Sequence, residues 1–501
     1  ISEFNGLISQ EIKNQPTPFI YERIGEKFKH YFIDEFQDTS ELQWQNLTPL
    51  LDNAIASQPG SMMLVGDAKQ AIYRWRGGKA EQFINLYNKT DNPFHLEPEI
   101  ISLESNFRSF QEIIKFNNDF FNYLSETIFR HSDHSSLYKN AKQLVKKEES
   151  GYVQLEFLDL QDVDDKALAY SEEVYNTIKS CLKNGYTEAD ICVLVRKKKE
   201  GVAIANYLSE QGLNIMSSET LLLNSSQNVQ FVNNILRLLL QPENQETKAE
   251  ILIHIAHICQ IKETHNFLKA HIHLDIKSLF KHLELLSFFI DYSALIQLAF
   301  YDLVETIIRQ FKLVNHSDAF IQYYMDVVLE FSEKQLADIG SFLHYFDSKN
   351  EKLSIVTPEG YQAIQIMTVH KSKGLEFPVV IFPFADLDIY REVSPQEWFP
   401  INPETFNGFS HTLLNYSKAF ENYGEAGKII FDRHQAELEL DNINILYVAL
   451  TRPVEQLYII SKLDISSKGE INPKSYAGFL ISYLQQLGKW ESNQMVYQFG
   501  K

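Results

Sequence analysis

Short apolar runs that stop in polar corners alternate with apolar positions at helical spacing over the first 110 residues. Phe4, Leu7, Ile8 and Ile12 keep a loose helical spacing until Pro16 and Pro18, and Ile20, Ile24 and Phe28 then lead into a strand. That run, Tyr31-Phe32-Ile33, is too short for a helix and right for a buried strand; it ends in Asp34-Glu35. Leu42, Trp44, Leu47, Leu50 and Leu51 predict a crossover helix closing near Pro59-Gly60. Ser61–Val65 predicts a second strand running into Gly66-Asp67, and a third ends at Leu103, before Glu104-Ser105-Asn106-Phe107-Arg108-Ser109. Strand, polar corner and helix in repetition predict a parallel α/β sheet with three polar corners on one edge.

The polar stretch Asn140–Gly151 reads as an interdomain linker. Tyr152–Leu158 alternates as a strand, and Ile191–Val195 is a wholly apolar one. The latter ends in Arg196-Lys197-Lys198-Lys199, either a solvated face or a contact to a DNA backbone, and a helix through Ile204 and Leu208 follows. From about Asn228 to Phe346 the pattern is helical throughout, which reads as a helical domain inserted into an α/β region. This block holds His254, His257, His265, His271, His273 and His282 near Cys259. Their spacing matches no zinc motif, so surface and core positions compete with a metal site. Strands return at Ala363–Val369 and Val379–Phe382, residues 386–432 are loop-rich, a helix runs from about Gln435 to Arg452, and Leu457–Ile460 is the last strand.

A chain of 501 residues suggests about three or four domains, and 44% hydrophobic residues suffice for sizeable cores. The net charge of −20 argues against a nucleic-acid coat protein but leaves room for a motor with a local basic channel. The absence of a transmembrane-length apolar run and of a leader pattern predicts no membrane partner. Three cysteines without a paired framework predict a reducing cytoplasm, and they are too few for a four-cysteine metal or iron–sulfur site.

The chemistry sits in the polar corners. Beyond the carboxyl end of a parallel strand, Asp34 is placed to hold Mg²⁺ and Glu35 to polarise a water beside a phosphate; a solvated turn is the bland alternative. In Gly66–Gly78, the Gln70 amide suits a phosphate or a water, and Tyr73 and Trp75 interleave with Arg74 and Arg76 as a stacking platform for unpaired bases would. The alternative there is a surface helix start with one buried aromatic. Arg452, at a helix end, either reaches a neighbouring domain or caps its helix.

Together these stretches resemble the superfamily 1 DNA helicases of the UvrD/Rep type, in the RecB/AddA branch. Ile33–Thr39 looks like motif II, Gly66–Gly77 like motif III, Leu103 with Asn106-Phe107-Arg108-Ser109 like motif IV, Thr368–Phe377 like motif V, and Tyr447–Arg452 like motif VI, in family order. Phe36 and His370-Lys371-Ser372-Lys373-Gly374 lean toward the RecB/AddA branch.

The resemblance implies an α/β fold with two RecA-like parallel-sheet domains, the first incomplete, and a helical insertion in the second. Residues 1–148 would be the carboxyl-terminal part of the first, 149–227 with 357–465 the second, 228–356 the insertion and 466–501 a tail. It implies ATP and Mg²⁺ as cofactors and single-stranded and duplex DNA as partners, with a nuclease or a partner helicase also expected. Asp34 would serve Mg²⁺, Glu35 the attacking water, and Gln70, Arg108 and Arg452 the γ-phosphate. Phe107, Glu376 and Gly374 would lie at the nucleotide, with Phe107 near the adenine and Glu376 on the ribose. Tyr73, Trp75, Arg76, Thr368 and His370 would face the single strand. The implied activity is that of an ATP-dependent 3′-to-5′ helicase or translocase in DNA repair or recombination. The family's Gly-x-x-x-x-Gly-Lys-Ser/Thr loop does not occur in the 501 residues, and Pro453 stands where the family has a small residue. The expectation is therefore a fragment that is inactive by itself, or alternatively a non-catalytic DNA-binding or scaffold subunit.

Overall fold

The computed structural model describes residues 5–10, 24, 27–56, 59–217, 222–314, 318–334, 338–349, 353, 362–466 and 468–500. Phe4, Ile12, Pro16, Pro18, Ile20 and the expected boundary at 356–357 lie outside them. The chain divides into two compact units, Ile1–Val163 with Val369–Lys501, and Asp164–Thr368.

The first unit begins with β1 (His30–Ile33), α1 (Glu41–Ala56) and β2 (Ser61–Leu64), the two strands pairing in parallel with Ile33 opposite Leu64. Tyr31, Ile33, Met62 and Leu64 pack on Phe36, Trp44 and Leu51. The alternate positions Phe32 and Met63 point away and are 73% and 52% exposed. The strand expected to be buried is thus covered on one face only, as its period of two allows. After α2 (Ala80–Tyr87) the expected third strand does not form, and Leu103 is 84% exposed. An apolar run becomes a strand only beside a partner ladder, and here the pairing falls two residues later, between β3 (Ser105–Asn106) and β4 (Leu144–Val145). Between these lie α3 (Gln111–Thr127) and α4 (Ser132–Lys139). The stretch read as a linker is tied down, since Glu149 and Ser150 carbonyls accept the Gln111 and Glu112 amides at the start of α3. β5 (Tyr152–Leu158) follows as expected.

The second unit contains α5 (Lys166–Lys183), β6 (Ile191–Val195), α6 (Lys198–Glu210) and β7 (Ile215–Met216). A helical block then runs from α7 (Gln227–Leu240) and α8 (Gln245–Ile258) to Ile339–Ser348, before β8 (Ile364–Thr368). Its strands lie in the order β6-β8-β7, all parallel. His254 stacks on Phe231 at 4.6 Å, and His271 and His282 donate to the carbonyls of Phe267 and Ser278 one turn back. The basic run 196–199 forms the corner between β6 and α6, where Glu200 accepts the Lys197 amide.

The first unit resumes with β9 (Phe377–Phe382), the antiparallel hairpin of β10 (Gln396–Pro400) and β11 (His411–Asn415), α9 (Gly424–Leu450), β12 (Pro453–Lys462), α10 (Tyr476–Gln486) and β13 (Val496–Gly500). Its sheet runs β13-β5-β12-β9, parallel except for β13. The loop-rich region therefore contains a hairpin, and the long helix starts at Gly424 rather than near Gln435. The final residues add a buried helix and an edge strand. At Gly478 a Cβ would lie 1.7 Å from the Asn472 carbonyl oxygen, so only glycine lets α10 dock there.

Candidate functional site

The chain leaves β1 by a strained turn. Glu35 takes a left-handed φ of 51°, and its amide is accepted by Asp34 Oδ1 at 2.8 Å. Both carboxylates are exposed. The buried Gln37 amide links this corner to the next: its Nε2 donates to Glu35 Oε2 at 2.6 Å, and its Oε1 accepts the Asp67 amide at 3.0 Å. Gln70 Nε2 donates to Asp67 Oδ2 at 3.1 Å, so a continuous path joins Glu35 to Gln70. Gly66 stands where a Cβ would meet Gln37 Oε1 at 2.5 Å. Burial pushes the Asp67 carboxyl up, but Lys69 at 2.6 Å outweighs it and holds the group below its ordinary range.

Residues 373–376 clasp four partners, Glu35, Asp38, Arg108 and Arg452. Lys373 Nζ, almost fully buried, lies 3.2 Å from Glu35 Oε2 and 2.6 Å from Asp38 Oδ2. Gly374 has φ 81°, which favours glycine. The Leu375 carbonyl accepts from Arg452 Nη1 at 3.2 Å, and Glu376 Oε2 pairs with Arg108 Nε at 2.9 Å. Arg108 Nη1 also donates to the Thr451 carbonyl at 3.2 Å, which sets it beside Arg452. Arg452 is only 1% exposed and also donates to the Val448 carbonyl and Thr451 Oγ1. Burial, followed by the Arg108 charge, pulls the Arg452 guanidinium down to about 10. Phe107, next to Arg108, is 72% exposed.

The aromatic residues expected at a single strand also gather in this unit. Tyr73 donates to the His370 carbonyl at 3.0 Å, and its ring lies 5.8 Å from the His370 ring and 6.3 Å from Trp75. The Arg76 guanidinium covers Trp75 at 4.6 Å, and Trp75 is 68% exposed. Lys373 sits 5.5 Å from the Tyr73 ring, so one ammonium touches both groups of residues. Thr368 is buried at the end of β8 in the second unit.

Residues 101–464 match the UvrD-like helicase C-terminal domain, and residues 2–91 match the UvrD/REP helicase N-terminal domain. The chain belongs to the UvrD-like helicase family. It is 24% identical over 532 residues to the exonuclease/helicase subunit RexA of Streptococcus pneumoniae serotype 4, covering 92% of this chain and 42% of that one. It is 24% identical over 527 residues to the RecBCD enzyme subunit RecB of Buchnera aphidicola subsp. Schizaphis graminum, covering 95% and 42%. The chain spans less than half the length of these relatives. Among the described residues no helix is long and apolar enough to cross a membrane.

Lys373 and Asp38 of this UvrD-like site, and Asn444 on α9 outside it, have no individual role in the sequence motifs. Lys373 and Asp38 leave no local signal as a pair, because 335 positions separate them. Asn444 does leave one: it is an amide inside the apolar run Ile443–Leu450, and a polar group there needs partners.

Proposed function

We propose that the chain is a piece of an ATP-driven 3′-to-5′ DNA helicase or translocase of DNA repair or recombination, coupling hydrolysis to movement on single strands. The observation that carries the reading is Arg452, a buried guanidinium whose three hydrogen bonds all go to neutral oxygens, beside a second guanidinium, Arg108. Buried cations are costly unless an anion compensates them, and a phosphate bound at this pair supplies one.

The donor set fits Mg²⁺-ATP. Mg²⁺ takes one or two carboxylates and fills its shell with water and phosphate oxygens, which an exposed Asp34 at a strand end allows. Among the described residues no group of three or more His, Cys, Asp or Glu forms a closed cage. Bound Mg²⁺-ATP supplies the phosphoryl group and the cation that neutralises its charge. Asp34 would hold the metal, and Glu35 would accept a proton from water, its carboxylate aimed by Gln37 and Lys373. Gln70 would bind the γ-phosphate, and Arg108 and Arg452 would stabilise charge developing there. Phe107 would stack near the adenine, Gly374 would let the backbone approach the nucleotide, and Glu376 would exchange its Arg108 pairing for the ribose. Tyr73, Trp75, Arg76, Thr368 and His370 would meet the single strand. In this reading residues 1–148 belong to a first RecA-like domain, 149–227 and 357–465 to a second, and 228–356 to its insertion. The β- and γ-phosphate cradle would come from polypeptide outside the 501 residues.

The absence of a Gly-x-x-x-x-Gly-Lys-Ser/Thr loop in these residues favours a second reading, a non-catalytic subunit. The two separate on DNA-stimulated ATPase of the complete protein. The motor reading expects turnover that falls at least about a hundredfold in Glu35→Gln. Wild-type protein without turnover supports the second reading.

A further inference from the structure

The turn from Asp67 to Gly77 carries Gln70 at one end and Tyr73 and Trp75 at the other, yet only two short 3₁₀ turns, Ala68–Gln70 and Arg74–Arg76, give it regular structure. Backbone carbonyls in such a segment need partners from elsewhere. For two of them, those of Ala68 and Ala71, a donor comes from one face of α9. Asn444 is fully buried, and its Nδ2 donates to the Ala68 and Ala71 carbonyls at 2.9 Å each. Its Oδ1 accepts from the Tyr138 hydroxyl at 2.6 Å, so the amide is held in one orientation. Three residues earlier, Asp441 accepts from Arg74 Nε with both oxygens at 2.8 Å. The other end of that guanidinium is gripped by Glu81 at 2.7 and 3.1 Å. Three residues later, the Tyr447 ring lies 5.4 Å from Lys69 Nζ. Positions three apart share a helix face.

We propose that Asp441 and Asn444 are positioning residues that set the geometry of the Asp67–Gly77 turn, so that Trp75 is presented for base stacking from a turn held by the helix that precedes Arg452. Neither residue belongs to the constellation assigned to nucleotide or strand. The inference rests on the strand-binding reading of Trp75. Arg74 lies between the two aromatic residues, so fixing its guanidinium on Asp441 fixes the backbone from which both rings project. Asn444 fixes the half of the turn that carries Gln70. A helix rises about 1.5 Å per residue, so roughly 14 Å of helix separates Asp441 from Leu450, two residues before Arg452.

The test uses the full 501-residue chain and a fluorescein-labelled oligo-dT strand, with Asp441→Asn and Asn444→Leu against wild type, Trp75→Phe and Trp75→Ala. Expected are a roughly fivefold to tenfold weaker affinity in both positioning variants and loss of most of the Trp75-dependent fluorescence quenching at saturation. Hydrogen exchange on the DNA-free chain should speed up about tenfold or more at the Gln70, Arg76 and Gly77 amides and stay unchanged within α9. A general loss of stability would speed exchange throughout and leave the quenching of each bound complex intact. Wild-type exchange at those three amides in both variants overturns the proposal, and so does full quenching with wild-type affinity. Asn444→Leu is the variant more prone to misfold, and Asp441→Asn alone then decides. Trp75→Phe keeps a ring that can stack, so the stacking reading fails if Trp75→Ala binds as wild type, and the exchange data still judge whether α9 sets the turn.

Discussion

Lys373 Nζ lies 3.2 Å from the Glu35 carboxylate and 2.6 Å from that of Asp38, a residue 335 positions away. One buried ammonium thus orients the carboxylate proposed to act on water and offsets its neighbour. Burial raises the Asp38 carboxyl above its ordinary value, and Lys373 opposes that rise. Lys373→Met should cost about 1–3 kcal/mol at neutral pH by leaving Asp38 uncompensated. A carboxyl with a raised folded value stabilises the fold at low pH and loses that contribution as pH rises. The deficit against wild type should therefore shrink toward about pH 5 in thermal denaturation. A deficit that grows on acidification would contradict this.

Without a phosphate cradle in its 501 residues, the chain alone should show no DNA-stimulated ATPase. Robust turnover by the pure chain that disappears in Glu35→Gln would falsify this expectation.

Trp75, largely exposed and covered on one side by Arg76, has a face free to stack. Base stacking is worth about 1–3 kcal/mol per base, so in the complete protein Trp75→Ala should weaken single-strand affinity about tenfold, leaving ATPase without DNA unchanged. Fluorescence anisotropy at fixed salt measures this, and unchanged affinity assigns Trp75 a structural place only.

Arg108 and Arg452 should separate chemistry from folding. Arg108 is partly exposed, and its pair with Glu376 contributes about 0–1 kcal/mol, so Arg108→Ala should barely shift melting. Loss of an arginine that stabilises phosphoryl transfer costs about 10³–10⁵ in turnover, which the complete protein should show. Arg452→Ala should also melt markedly earlier, because it removes a buried side chain together with its three hydrogen bonds, one to a buried oxygen and two to partly buried ones. Near-normal turnover in Arg108→Ala sinks the phosphate role.

His434 holds the β10–β11 hairpin to α9. Its Nδ1 lies 2.7 Å from Glu397 and its Nε2 2.6 Å from Glu392, while Arg433 also pairs with Glu397. Burial pushes the imidazole down, but the two carboxylates win and raise it above its ordinary value. The stabilisation is therefore complete below the ordinary histidine value, about pH 6.5, and fades as pH rises through the raised one. Hydrogen exchange across 396–415 should be slowest near pH 6 relative to His434→Gln, after correction for intrinsic rates, and the two proteins should converge at alkaline pH. A difference independent of pH would remove the charge from the explanation.

What sequence alone determined here is what depends on near neighbours. The wholly apolar Ile191–Val195 and the alternating Tyr152–Leu158 form the strands their periods require, and Asp34-Glu35 falls at a strand end because the apolar run stops there. Tertiary structure decided whatever depends on a partner. Leu103 has a strand's pattern and no ladder, and Phe32 a strand's place and no cover, because pairing and burial are properties of two segments. Asn444 reads as one amide in an apolar run, yet its hydrogen bonds reach carbonyls 373 and 376 residues away. Local pattern reports that a buried polar group must be satisfied; only the fold chooses the group that satisfies it.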